Sequence, residues 1–172
     1  VLVAVVGLIA LGMVARNSVD LRAMRLEWYR AGADPAWDAM ARWADANTPT
    51  SARFITPPWL EGWRCIGRLG TLVQYRDGSA MHWDVGFEFG WWERLQALHC
   101  DVYYSEDALG PQLVERYLAL TPADLVAAAD RYDIDYVIMP DTWQEPRGVM
   151  PVHSTRSYLA WAVDDLRRAT AD

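Results

Sequence analysis

From residue 34 onward the chain alternates between apolar residues at helical spacing and short continuous apolar runs. Asp34-Pro35 reads as a helix start, with Asp as N-cap and Pro in the first turn. Trp37, Met40, Ala41 and Ala44 then form an apolar stripe at helical spacing, which Asn47-Thr48-Pro49 ends. Ala52 to Thr56 predicts a short buried strand closed by Pro57-Pro58. After a turn-rich passage from Gly62 to Leu69, Thr71 to Tyr75 predicts a second strand, broken at Asp77-Gly78. Glu88 to Leu98 predicts a helix carrying Trp91, Trp92, Leu95 and Leu98. Pro111 opens another short helix, with Leu113, Val114 and Tyr117 facing inward.

Thr121-Pro122-Ala123-Asp124 is the strongest local signal. It combines an N-cap Thr, Pro in the first turn and an acid three residues after the cap. The helix continues through Leu125, Val126, Ala129 and Tyr132. Asp135 to Met139 then predicts a buried strand ended by Pro140. A helix, a tight turn and an apolar strand make half of a parallel βαβ unit. Val149 to His153 and Tyr158 to Val163 predict a C-terminal hairpin that adds an antiparallel edge. The fold class expected is therefore α/β: a small three-layer domain over residues 34–172, with a mainly parallel sheet and an antiparallel C-terminal hairpin.

The opening run differs in kind. Val1 to Ala15 carry no charged side chain. As a helix they would reach about 22 Å, short of a ~30 Å hydrocarbon core. Three readings are open: the end of a transmembrane helix that starts upstream, a signal-peptide core, or a buried helix. The first is preferred, because the chain opens on Val and lacks a basic region before the run. Residues 1–16 are thus expected to end a transmembrane helix, and 17–33 to form a juxtamembrane linker or interfacial helix. Arg16, Arg22, Arg25 and Arg30 interleave there with Leu21, Met24, Trp28 and Tyr29, a mixture suited to headgroup depth. These arginines favour the cytoplasmic side.

Composition narrows the functions. Apolar residues make up 52% of the 172, enough for a sizeable core, and ten are Trp. The formal net charge of −7 disfavours a nucleic-acid partner. All 16 basic residues are Arg, so no lysine chemistry is available. Cys65 and Cys100 are too few for a thiolate metal site; they are either one disulfide or two unrelated thiols. His82 and Asp84 flank Trp83 but lack further ligands at metal spacing. Neither a G-x-S-x-G elbow nor a G-x-G-x-x-G loop is present. No metal, cofactor or catalytic residue is expected within the domain.

Ligands of open α/β sheets bind beyond the carboxyl ends of the strands. Those ends nominate Trp59, Glu61 and Arg64 after the first strand, Arg76, Asp77 and His82 after the second, and Asp141 after the third. Trp walls with carboxylates and guanidiniums would suit a sugar or a lipid-linked sugar. The alternative is that Glu61, Arg64, Arg76 and Asp77 form an ion-pair network that braces the loops.

Several motifs carry a family likeness. They are Trp43-Ala44-Asp45-Ala46-Asn47-Thr48-Pro49, Ala52-Arg53-Phe54-Ile55-Thr56-Pro57-Pro58, Glu61-Gly62-Trp63-Arg64, Tyr75-Arg76-Asp77-Gly78, Trp91-Trp92-Glu93-Arg94-Leu95 and Arg131 to Ile138. Across most of residues 35–140 the chain resembles the C-terminal soluble domain of bacterial polytopic membrane proteins of the glycosyltransferase-C type. Gly90-Trp91-Trp92-Glu93-Arg94 lacks the Tyr-Gly of the oligosaccharyltransferase Trp-Trp-Asp-Tyr-Gly signature. The resemblance implies a bacterial cell-membrane protein with this domain outside the cytoplasm, against the indication of the linker arginines. The reaction centre would lie in the membrane part. This domain would then be a non-catalytic accessory that binds or positions a glycan or lipid-linked sugar. The rival expectation is a structural or protein-interaction domain with no ligand site.

Overall fold

The computed structural model describes residues 34–102, 109–144 and 146–171. The predicted membrane segment 1–16 and linker 17–33 lie outside the described residues. Among those described, no helix is long and apolar enough to cross a membrane.

The described chain is an α/β domain. It runs α1 (Pro35–Asn47), β1 (Arg53–Ile55), α2 (Trp63–Ile66), β2 (Gly70–Thr71), a 3-10 helix (Tyr75–His82), α3 (Val85–Ala97), α4 (Leu109–Leu118), α5 (Pro122–Tyr132), β3 (Tyr136–Pro140), β4 (His153–Ser154), β5 (Tyr158–Ala162) and α6 (Val163–Ala171). The five strands lie in the order β2-β1-β3-β5-β4.

Successive residues of each long strand enter opposite apolar clusters, as the twofold pleat requires. Ile55, Val137, Met139, Leu159 and Trp161 join α3 to α6 on one face. Phe54, Ile138, Tyr158 and Ala160 join Trp37, Met40, Ala41 and Ala44 of α1 and Trp63 of α2 on the other. Helices therefore cover both faces. This is why β3 and β5 read as unbroken apolar runs rather than alternating ones. The stripe expected on α1 is the one buried.

The sheet is mixed, where a mainly parallel one was expected. β1 pairs in parallel with β2 and β3, two residue pairs each (Arg53↔Gly70 and Phe54↔Thr71; Phe54↔Tyr136 and Ile55↔Val137). The longest ladder is antiparallel, with five pairs from Tyr136↔Ala162 to Pro140↔Tyr158. Between β3 and β5 the described residues form β4 and turns but no crossover helix, so the chain returns antiparallel. The expected hairpin is present as β4 and β5, but its first strand is His153–Ser154 rather than Val149 to His153, with His153 opposite Ala160. Asp135 fixes the register where β1 meets β3: its carboxylate accepts the Arg53 N–H at 2.8 Å, and its own N–H donates to the Arg53 carbonyl at 2.9 Å.

Two further expectations change. The strand predicted over Thr71 to Tyr75 is only Gly70–Thr71, and Tyr75 opens the 3-10 helix. The tail expected to remain strand to Val163 turns there into α6, which buries Leu166 and pairs Arg167 with Asp130 of α5 at 2.6 Å. Asp164 and Asp165 in the first turn suit the positive end of that helix.

Buried hydroxyls and indoles tie the helix layer to the rest. Tyr117 Oη donates to the Ile138 carbonyl at 2.7 Å, and Trp143 Nε1 to the Leu120 carbonyl at 2.7 Å.

The cap of α5 is as expected. Thr121 Oγ1 accepts the Asp124 N–H at 3.2 Å, and Asp124 Oδ2 accepts the Thr121 N–H at 2.9 Å. Hydrogen bonding from Thr121 holds the Asp124 carboxyl below its usual 3.8. A carboxyl whose pKa is lowered by folding stabilises the native state above its unfolded pKa, and that stabilisation is lost as pH falls through the folded value. Asp124→Asn is expected to cost about 1 kcal/mol at neutral pH. Urea unfolding should show the gap between the two proteins narrowing as pH drops below 3.8.

Candidate functional site

The parallel strands β1 and β2 end side by side, where Thr56 and Thr71 share a 2.7 Å hydroxyl hydrogen bond. The chain beyond β1 then meets the chain beyond β2. Tyr75 N–H donates to the Pro58 carbonyl at 2.6 Å, and Gln74 Nε2 donates to the Leu60 carbonyl at 2.9 Å. Gln74 is one of two buried polar residues here, with Thr56, and its side chain is spent holding the first loop.

Asp77 turns the chain beyond β2. Its Oδ2 accepts the Gln74 N–H at 3.0 Å, which bends the backbone into the 3-10 helix in place of a longer strand. Both oxygens also accept from Arg64, at 2.6 and 2.8 Å. That hydrogen bonding raises the Arg64 guanidinium above its ordinary pKa, against the opposing effect of burial. A second pair links Arg76 to Glu61 at 2.6 Å. Glu61 also offers its carbonyl to Trp37 Nε1 at 2.7 Å, which anchors the loop to α1. Gly62 continues the loop at φ 86°, a conformation that glycine takes freely.

The 3-10 helix lies on α3. Trp91 Nε1 donates to the Gln74 carbonyl at 3.1 Å, and the Trp91 ring lies so close to Gly78 that an added Cβ would approach it to 2.5 Å. Between these elements is an open depression of about 490 Å³, lined by Arg64, Arg76, Asp77, Ser79, Ala80, Phe87 and Arg94. Three arginines thus line the depression with one carboxylate, which Arg64 already holds. Arg94 has no carboxylate partner within ion-pair distance among the described residues.

Of the seven residues nominated from sequence, Arg64, Arg76 and Asp77 line this depression. Glu61 stands beside it through Arg76. Trp59 is half-buried against the main core, edge-on to Tyr117 at 5.4 Å. Asp141 is exposed at the end of β3, with its N–H on the Ser157 carbonyl, and it does not line the depression. His82 closes the 3-10 helix, and its side chain lies outside the described ones. Asp84 caps α3, accepting the Gly86 and Phe87 N–H groups at 2.8 and 3.3 Å. Sequence reasoning missed Phe87 and Arg94. Their separation of seven residues, with Trp91 between, places them on one helical face, which was the available signal.

Among the described residues no group of three His, Cys, Asp or Glu could hold a metal ion. Cys65 is exposed and Cys100 buried, and both are free thiols. Burial pushes Cys100 up to about 12, which leaves it an inert core residue at neutral pH.

Residues 35–98 match a family described as a domain of unknown function (DUF6798). The match takes in α1 to α3 and every residue lining the depression. No curated protein and no solved structure matches the chain.

Gly78→Ala tests the geometry. The methyl group must displace the Trp91 ring or the 3-10 helix, so a loss of about 1–3 kcal/mol is expected in urea unfolding. The near-ultraviolet circular dichroism of the folded state should change with it.

Proposed function

We propose that this is a non-catalytic accessory domain of a bacterial polytopic membrane protein of glycosyltransferase-C type. In this reading it lies outside the cytoplasm and positions a lipid-linked sugar by its phosphate. One observation carries it: three arginines line one open depression that holds a single carboxylate, in a chain of net charge −7. Guanidinium is planar, permanently charged and geometrically matched to phosphate oxygens. Phe87 on the same wall offers a face for sugar C–H groups. Asp77 is ill placed to act as a base, because both its oxygens accept hydrogen bonds from Arg64.

The competing reading is a structural or interaction domain in which the same charges only brace the loops. The pairs Arg64–Asp77 and Arg76–Glu61 favour it, since each already gives its arginine a carboxylate partner.

Calorimetric titration of the full chain with a short-chain prenyl phosphate and with inorganic pyrophosphate separates the two. The accessory reading expects saturable binding that weakens with salt. Arg94→Ala should weaken it on the order of tenfold with stability unchanged. If neither anion binds, or if Arg94→Ala binds as the parent does, the bracing reading stands instead. Arg64→Ala would then matter for stability alone, by about 1 kcal/mol.

A further inference from the structure

The outer end of α3 is apolar where it meets solvent. Trp83 is 91% exposed, Phe89 68% and Phe87 37%, although most large apolar side chains of the described chain are buried or half-buried. Five tryptophans lie in the two cores, so Trp83 departs from what this fold does with indole rings. The three aromatics fall within seven residues, on the turn before α3 and its first two turns. They do not share one helix face: Phe87 and Phe89 point to nearly opposite sides. They make an apolar tip rather than a groove for a partner helix.

We propose that this tip inserts into the headgroup region of a lipid bilayer and sets the Arg-lined depression at phosphate depth. Trp and Phe are stable at that depth, and arginine beside them meets lipid phosphates. Phe87 belongs to both features, lining the depression with Arg64, Arg76 and Arg94. The nearby acids do not oppose insertion strongly. Glu61 and Asp77 are held by arginines, Asp84 is held by backbone N–H groups of α3, and Glu88 is half-buried. The sequence also points to a bilayer as the occupant. The uncharged run ends at Ala15, and α1 begins at Pro35. Even fully extended, the stretch between them reaches only about 70 Å. If that run sits in lipid, as its composition indicates, the domain stays tethered near the membrane surface.

The inference stands on the aromatics and does not require the lipid-linked sugar reading. Its test reads depth at a site, because the opening run could by itself bring the full chain to lipid. In a Cys65→Ser background, Phe89→Cys is labelled with a polarity-sensitive fluorophore, and Ala46→Cys on α1 serves as the reference site. With vesicles of phosphatidylcholine and phosphatidylglycerol, the label at 89 should become dehydrated and be quenched by lipids carrying a quencher within the bilayer. The label at 46 should not. Adding Trp83→Ser should reduce quenching at 89 on the order of tenfold, while pyrophosphate binding in the depression stays unchanged. Equal behaviour of the two labels would overturn the proposal. So would dehydration at 89 that depends on protein concentration without vesicles, since that marks a second copy of the chain as the occupant. Failure of the parent chain to bind pyrophosphate, with quenching at 89 intact, would remove the sugar-phosphate reading and leave this one.

Discussion

The rest of the domain depends on burying β3 and β5 on both faces. Val137 and Met139 face one helix layer, while Ile138 faces the other. Leu159 and Trp161 against Tyr158 and Ala160 repeat the division one strand away. A short sheet with apolar side chains above and below exposes too much surface unless each face is covered. At roughly 25 cal/mol per Å² of apolar area, removing these side chains from water is the largest favourable contribution available to the fold. The helices on either side meet that demand. Tyr117 reaching from α4 to the Ile138 carbonyl shows how polar atoms are then fitted inside an apolar layer.

The depression arises from a smaller but decisive contest at the end of β2. Thr71 to Tyr75 has the residue types of a strand, yet β2 ends at Thr71, with the Leu72 N–H still on the Phe54 carbonyl at 2.8 Å and the chain leaving the sheet beyond it. The Asp77 carboxylate offers the Gln74 N–H a partner within the turn, and Arg64 neutralises that carboxylate from across the loop. Trp91 then covers Gly78 and takes up the Gln74 carbonyl. The Arg64 and Trp91 contacts join residues from different elements. The result is a 3-10 helix held between α2 and α3, with an open, guanidinium-lined space beside it.

The same protein treats its aromatic residues in two ways. Trp37 and Trp63 lie 5.2 Å apart in one core, and Trp143 and Trp161 lie 5.2 Å apart in the other. At the outer end of α3, aromatic area of the same kind faces water. That contrast links the fold to its surroundings, because exposed rings beside arginines suit an interface between water and lipid.

The local elements and the fold class were legible in the order of residues alone. Period and caps were sufficient for α1, α5 and β3, because an apolar stripe, a Thr-Pro-x-Asp start and an uninterrupted apolar run depend on neighbours within one turn or one strand. Arg64, Arg76 and Asp77 were legible as one group, since strand ends are where loops gather polar residues. Packing between elements did the remainder. It set the direction of β5, turned the tail into α6, ended β2 at Thr71 so that a 3-10 helix opens at Tyr75, and brought Arg94 and Phe87 to the depression while sending Trp59 to the core and Asp141 elsewhere. The direction of β5, the packing of Trp59 and the Arg64–Asp77 pair rest on contacts between residues far apart in the chain, which no local spacing encodes.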